Sequence, residues 1–291
     1  MTINPAIVVG VDGSDTSKAA AAWAARAAAR HAVPLRLVAA QPATLAYGGP
    51  LMASQEFYDD LDRETKRVLA EAKDVAAAAA PGLEAETVIV NSSPIPVMLD
   101  ESERARMIVL GTRGLGAVRG ALLGSVTAAL ATHARCPLVV VPTVDTDPAD
   151  GPVVVGVDGS ANSAPAVEAA FTEASLRAAP LVAVHAWSDV DFDTLPAAVE
   201  EIPWPGLAEN EEATLAESLA GWQERFPDVD VRRVVVRDRA VEQLLDQSHT
   251  AQLVVVGSHG RGGFRGMLLG STSRALLHRI ERPLMIVRER R

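Results

Sequence analysis

The heptapeptide Val8-Val9-Gly10-Val11-Asp12-Gly13-Ser14 recurs letter for letter as Val154-Val155-Gly156-Val157-Asp158-Gly159-Ser160, 146 positions further along the chain. The same offset carries Gly111 onto Gly257, Gly114 onto Gly260, Leu122-Leu123-Gly124-Ser125 onto Leu268-Leu269-Gly270-Ser271, and Pro137 onto Pro283. Landmarks held at one constant spacing identify a tandem duplication. Whatever this chain folds into, it must therefore fold into twice, in units of about 140 residues, an ordinary domain size. The seam is the polar stretch Thr143-Val144-Asp145-Thr146-Asp147-Pro148-Ala149-Asp150-Gly151-Pro152. It reads as a surface linker, placing domain 1 at 1–143, the linker at 144–151 and domain 2 at 152–291.

Within each half, short β-branched runs alternate with alanine-rich stretches of helical length. Hydrophobic periodicity predicts strands over 6–11, 35–40, 86–90, 107–110 and 138–141, and helices over 17–31, 59–79, 96–103 and 126–133. Ser14 or Asp15 is the expected N-cap of the first helix. In the second half, strands are expected near Val153, Leu181, Val231, Leu253 and Leu284. Such alternation implies right-handed βαβ crossovers. The expected fold is α/β: two tandem doubly wound domains, each a five-stranded, mostly parallel sheet flanked by helices. Aromatic residues make up only 4% of the chain, so packing must rest on small aliphatic side chains rather than on an aromatic-rich sandwich or barrel.

Charge and composition narrow the partners. The formal net charge is −10, which disfavours nucleic acid. One cysteine, Cys136, excludes a disulfide framework and is expected to be a small buried hydrophobe. The first residues, Met-Thr-Ile-Asn-Pro, lack a basic region followed by an apolar stretch, and no apolar run nears the roughly 18 residues of a membrane span. A cytoplasmic protein without a membrane span is expected.

In open parallel sheets a ligand sits beyond the carboxyl ends of the strands, where strand order reverses. Two segments of each half leave such ends. One is Gly10-Val11-Asp12-Gly13-Ser14. The other runs from Gly111 to Ser125 and contains five glycines, which permit close backbone approach and positive φ, so that several N–H groups can turn inward together. Its outlet, Gly124-Ser125, enters a helix whose first amides are unpaired and whose dipole end is positive, and the Ser125 hydroxyl is expected to help. Arg113 and Arg119 add positive charge, so phosphate is the expected guest. No Walker A motif is present. A dinucleotide fingerprint also fails, because Gly114-x-Gly116 and Gly260-x-Gly262 would need glycine where Arg119 and Arg265 stand.

The pattern that does fit is Gly-x2-Gly-x9-Gly-Ser: Gly111, Gly114, Gly124 and Ser125, then Gly257, Gly260, Gly270 and Ser271, each with an Asp 99 positions upstream. This resembles the ATP-binding branch of the universal stress protein family, in the tandem two-domain form seen in mycobacteria, with an adenine-nucleotide α-hydrolase-like fold. The resemblance implies that Asp12 and Asp158, beside Gly10 and Gly156, meet the ribose, and that Ala40 and Ala186 offer backbone groups to adenine. It implies that Gly111, Thr112, Arg113, Gly114, Leu115, Gly116 and Ala117, with Gly124, Ser125 and Val126, wrap the phosphates of one ATP. Gly257, Ser258, His259, Gly260, Arg261, Gly262 and Gly263, with Gly270, Ser271, Thr272 and Ser273, would wrap those of a second, with Mg2+ as the implied companion ion. At the 146 offset Arg113 becomes His259 and Leu115 becomes Arg261, so the basic partner enters differently in each half. The last strands, 138–141 and 284–287, are apolar and expected at sheet edges. The resemblance implies that they pair across domains and that chains form a homodimer.

Other motifs point to less. The six histidines show no metal-ligand spacing, and no metal-ligating residue is assigned. His185, beside the expected adenine position, is read as a packing or solvent-contacting residue. Asp189-x-Asp191-x-Asp193 mimics a calcium loop, but Thr194 stands where glycine is needed and Pro196 follows. The stretch from Asp189 to Gly206 reads as a loop covering the site or as a partner surface. There is no Gly-x-Ser-x-Gly elbow and no carboxylate evidently placed to activate water, so no catalytic residue is assigned. The expectation is a nucleotide-dependent regulator of a stress or growth-arrest response, acting through an unidentified protein partner. The alternatives are a slow ATP hydrolase or transferase of the adenine-nucleotide α-hydrolase type, or a scaffold in which nucleotide is structural.

Overall fold

The computed structural model of the protein describes residues 5–41, 55–114, 123–142, 150–187, 204–237, 239–260 and 269–288. The chain divides into two units, Met1–Asp145 and Thr146–Arg291. In the first unit, β1 (Ile7–Gly10), α1 (Asp15–His31), β2 (Leu35–Ala40), α2 (Gln55–Ala79), β3 (Ala85–Val90), α3 (Pro94–Ser102), β4 (Met107–Gly111), α4 (Ser125–His133) and β5 (Leu138–Val141) follow in order. The second unit repeats them as β6 (Val153–Gly156), α5 (Ala164–Arg177), β7 (Leu181–Ala186), α6 (Trp204–Arg225), β8 (Val231–Val236), α7 (Ala240–Ser248), β9 (Leu253–Gly257), α8 (Ser271–Arg279) and β10 (Leu284–Val287).

Strand order in the first unit is β3-β2-β1-β4-β5, every pair parallel. The second reads β10-β9-β6-β7-β8, again parallel. The chain winds outward from β1 to β3, then returns to β1's other side as β4. That reversal opens a crevice between the carboxyl ends of β1 and β4, and likewise of β6 and β9. Right-handed crossovers put α1 and α2 on one face of their sheet and α3 and α4 on the other, and these helices pack in those pairs. Among the described residues no helix is long and apolar enough to cross a membrane.

The core follows from the composition. Helix α1 buries seven alanines, among them Ala20, Ala21 and Ala24, because methyl-sized side chains let it settle against the sheet. Its one large apolar residue, Trp23, is fully buried; truncation of such a side chain to alanine removes roughly 3–5 kcal/mol. At the 146 offset Trp23 becomes Ala169, while Ala25 becomes the fully buried Phe171, which stacks on Phe226 at 5.8 Å. The duplicated cores thus keep a large ring but move it half a turn. Cys136 is buried, as expected.

Ser14 caps α1, its side chain accepting from the Ser17 amide. The identical Ser160 does not cap α5. There a 3-10 turn over Ala161–Ser163 intervenes, and the helix starts at Ala164 with Pro165 in its first turn. Proline carries no N–H, so Pro165 cannot donate to the Ala161 carbonyl as a helix begun at 161 requires, and the start is displaced by about one turn. Trp204–Gly206, expected in a loop, instead opens α6, where proline at 205 suits a first turn. The remainder of that expected loop and its calcium-like aspartates lie outside the described residues.

Candidate functional site

The shared heptapeptide ends β1 and β6 at a glycine and then turns sharply, with Gly13 at φ +88° and Gly159 at φ +73°. A side chain anchors each turn. Asp158 Oδ1 accepts from the Ser160 amide at 2.9 Å and from its hydroxyl at 2.7 Å. Asp12 Oδ1 does the same with Ser14, at 3.1 and 2.6 Å. One carboxylate oxygen is thereby committed to the turn while the other reaches the glycine loop. A Cβ on Gly260 would stand 2.7 Å from Asp158 Oδ2, and one on Gly114 would overlap Asp12 Oδ2. Glycine is required there by this contact and not by positive φ, which among the described glycines occurs only at Gly13, Gly82 and Gly159. The expectation that the loop glycines serve positive φ is corrected at these two positions.

The loop is clamped where it leaves and where it returns. Gly124 N–H donates to the Thr112 carbonyl at 2.9 Å and Gly270 N–H to the Ser258 carbonyl at 2.7 Å. Thr127 Oγ1 donates to Gly111 O at 2.9 Å, and Ser273 Oγ to Gly257 O at 2.6 Å. In the first unit the Arg113 carbonyl also accepts from the Ser14 hydroxyl at 3.4 Å and from Thr16 Oγ1. Leu115, Gly116, Ala117, Arg119, Arg261, Gly262 and Gly263 lie outside the described residues.

Helices α4 and α8 start at Ser125 and Ser271, the first one residue earlier than expected. Their N-caps, Gly124 and Gly270, are extended, at φ −73° and −63°, and as glycines supply no capping side chain to the first-turn amides. The start of α4 includes Val126. Each crevice thus presents bare amide donors at the positive end of a helix dipole, which suits an anion.

Strand register explains Ala40 and Ala186. Val38 and Val184 accept from Val11 and Val157 on the β1 and β6 side, whereas Gln41 and Trp187 donate to Val90 and Val236 on the opposite side. Backbone groups alternate along a strand, so those of Ala40 and Ala186 face the β1 and β6 side. Pairing there has already stopped, at Gly10↔Val38 and Gly156↔Val184.

In the second unit these parts surround a pocket of about 220 Å³. One water needs roughly 10–15 Å³, so the space suits a small organic guest. Gly156, Asp158 and Ala186 line it, as do Gly257, His259 and Gly260 and the α8 start from Gly270 through Ser271 and Thr272 to Ser273. Ser258 does not; it is buried, its hydroxyl 3.0 Å from His259 Nδ1. Trp187, read from the sequence together with the covering loop or partner surface, also lines it, whereas the walls given by Ala240 and Leu244 were missed. A signal existed: a Cβ on Gly156 would stand 3.2 Å from Leu244 Cδ1, and one on Gly10 3.3 Å from Met98 Sδ, at equivalent positions of the two units. A strand that ends in glycine admits a helix over its tip.

Around the pocket, the Arg279 guanidinium hydrogen-bonds Glu242 at 2.9 Å, tying α8 to α7. That bond, with a backbone hydrogen bond, holds the Glu242 carboxyl below the usual carboxylate range. No cluster of three potential metal-ligating side chains occurs among the described residues.

The profile of the universal stress protein family matches residues 4–142 and again 151–288. The chain is 44% identical over 289 residues to the universal stress protein Rv2005c of Mycobacterium tuberculosis, with 97% of each chain covered. It is 42% identical over 293 residues to Rv2623 of the same organism, covering 97% of this chain and 96% of that one. A crystal structure of a universal stress protein from Archaeoglobus fulgidus superposes over 100% of both chains with a TM-score of 0.72 at 20% identity, a likeness of fold.

Proposed function

This chain belongs to the universal stress protein family, and from that premise we propose that each unit binds one ATP and that occupancy serves regulation rather than turnover. The observation that carries this reading is the twice-built cradle. A carboxylate fixed by its own turn closes on the glycine loop, beside a helix start whose glycine N-cap supplies no capping side chain. Asp12 and Asp158 take the ribose hydroxyls, the open backbone of Ala40 and Ala186 takes the adenine edge, and the loops with α4 and α8 take the phosphates. With no side-chain cluster to hold a cation among the described residues, Mg2+ arrives with the triphosphate. That fits its preference for phosphate oxygens, water and one or two carboxylates. Asp12 and Asp158 supply a carboxylate at each crevice. In this reading a cytoplasmic homodimer presents nucleotide-dependent surfaces to a regulatory partner.

Equilibrium dialysis of freshly purified, nucleotide-free protein against labelled ATP tests the proposal, with saturation at two equivalents per chain expected. No saturable binding refutes it. Steady phosphate release that is lost in Asp12→Asn with Asp158→Asn, while binding persists, would assign hydrolysis instead.

A further inference from the structure

His185 is fully buried on β7, and its ring is held at both nitrogens. Nδ1 lies 2.7 Å from the Val157 carbonyl, and Nε2 lies 2.8 Å from Glu211 Oε2 on α6. A carbonyl oxygen only accepts, so Nδ1 carries a proton and donates it to Val157. Nε2 then shares a second proton with the Glu211 carboxyl. The result is an unbroken chain from α6 through the imidazole to the backbone of a pocket wall.

What this chain controls is the peptide between Val157 and Asp158. The Val157 N–H is already pinned by the Val184 carbonyl at 2.9 Å. That bond fixes the preceding peptide, and the imidazole bond to the Val157 carbonyl holds the Val157–Asp158 peptide itself. Because the peptide is trans, the Asp158 N–H must point opposite to the carbonyl. The imidazole thus backs the direction in which Asp158 leaves β6 and its carboxylate reaches Gly260.

The described residues of the first unit show no such support. At the 146 offset His185 becomes Ala39, which has no polar side-chain atom, and Glu211 becomes Thr65, whose hydroxyl donates to Leu61 O at 2.8 Å within its own helix. Asp12 is exposed, whereas Asp158 is half-buried. We propose that His185, backed by Glu211, is a positioning residue of the second unit's nucleotide site, holding the Val157–Asp158 peptide in its binding orientation, and that the first unit's site works without an equivalent. The inference rests on the ATP-binding reading above.

The test uses the full chain with one site blocked at a time, Gly114→Val leaving the second site and Gly260→Val the first. His185→Leu is expected to weaken ATP binding about tenfold in the Gly114→Val background, the loss expected when a buried carbonyl loses its donor. It should leave binding unchanged in the Gly260→Val background. His185→Asn, whose amide can replace the Nδ1 donor but not the Glu211 contact, should stay within about threefold of the parent. Equal losses in both backgrounds, no loss in the first, or an Asn variant as weak as the Leu variant overturns the proposal. Should His185→Leu unfold the second unit, Glu211→Ala replaces it, with about a threefold loss that Glu211→Gln restores; no loss, or no rescue, overturns the proposal. Amide exchange separates this inference from its premise. If no ATP binds anywhere, the premise fails. The positioning role then stands if His185→Leu speeds exchange at Val157 and Ser160, with Val11 and Ser14 unchanged, and His185→Asn restores it, and falls if exchange at 157 and 160 does not move.

Discussion

Replacing Gly260 with alanine probes the contact on which the cradle depends. The new Cβ would stand 2.7 Å from Asp158 Oδ2, inside any approach that real Cβ atoms make. The carboxylate has little freedom to withdraw, because Oδ1 is held at 2.9 and 2.7 Å by the Ser160 amide and hydroxyl. Swinging it aside loosens two hydrogen bonds to a charged acceptor, each worth about 1.5–3 kcal/mol. Asp158 is only half-buried and water replaces part of that, so a net penalty of about 1–2 kcal/mol is expected, or roughly a 5- to 30-fold loss of nucleotide affinity. A double-mutant cycle read by isothermal titration identifies the cause. If the clash is with the carboxylate, Asp158→Ala already removes what Gly260→Ala damages, and the double variant should bind no more weakly than Asp158→Ala alone. Additive losses would refute the steric account and move the glycine requirement to the ligand itself.

Further tests concern the frame around the cradle. Thr127→Val keeps the side chain's shape but strips the donor from the buried Gly111 carbonyl, and should lower urea-unfolding stability by about 1–3 kcal/mol; an unchanged midpoint would dismiss the clamp. Ala178 ends α5 in the left-handed region at φ 50°. Ala178→Gly should therefore stabilise by about 0.5–1 kcal/mol, raising the melting temperature of the second unit by roughly 1–4 °C, and a lower value would contradict the cap geometry. The folded Glu242 carboxyl ionises at lower pH than the usual value of 4.5, so its stabilisation is complete above that value and is lost as pH falls through the depressed folded one. The pair is half-exposed, so Glu242→Gln should lower stability by no more than about 1 kcal/mol at pH 7 and by less at pH 3. Equal effects at both pH values would show that the charge is irrelevant.

The architecture was legible because it is written in short-range signals. Strands of the second unit start at Val153, Leu181, Val231, Leu253 and Leu284, where β-branched runs begin, and strand β2 coincides with its predicted span. The duplication supplied the domain plan, and glycines at strand ends followed by helix starts marked the crevice. An Asp 99 positions ahead of Gly111 and again of Gly257 was visible as a recurring spacing, but the contact of its carboxylate with Gly114 and Gly260 was not. Only the fold brings a carboxylate oxygen from one loop onto a glycine about a hundred residues away.

Two identical heptapeptides also met different fates. Ser14 caps its helix while Ser160 does not, because Pro165 lies beyond the repeated segment and moves the helix start. Met98 and Leu244 over the strand-ending glycines, and the imidazole of His185 between Glu211 and Val157, were likewise decided by tertiary packing. A residue's own sequence neighbourhood determines which element it joins through backbone and capping preferences that act over a few positions. Which distant side chain it then touches depends on the crossing of strands and helices, and no local pattern encodes that.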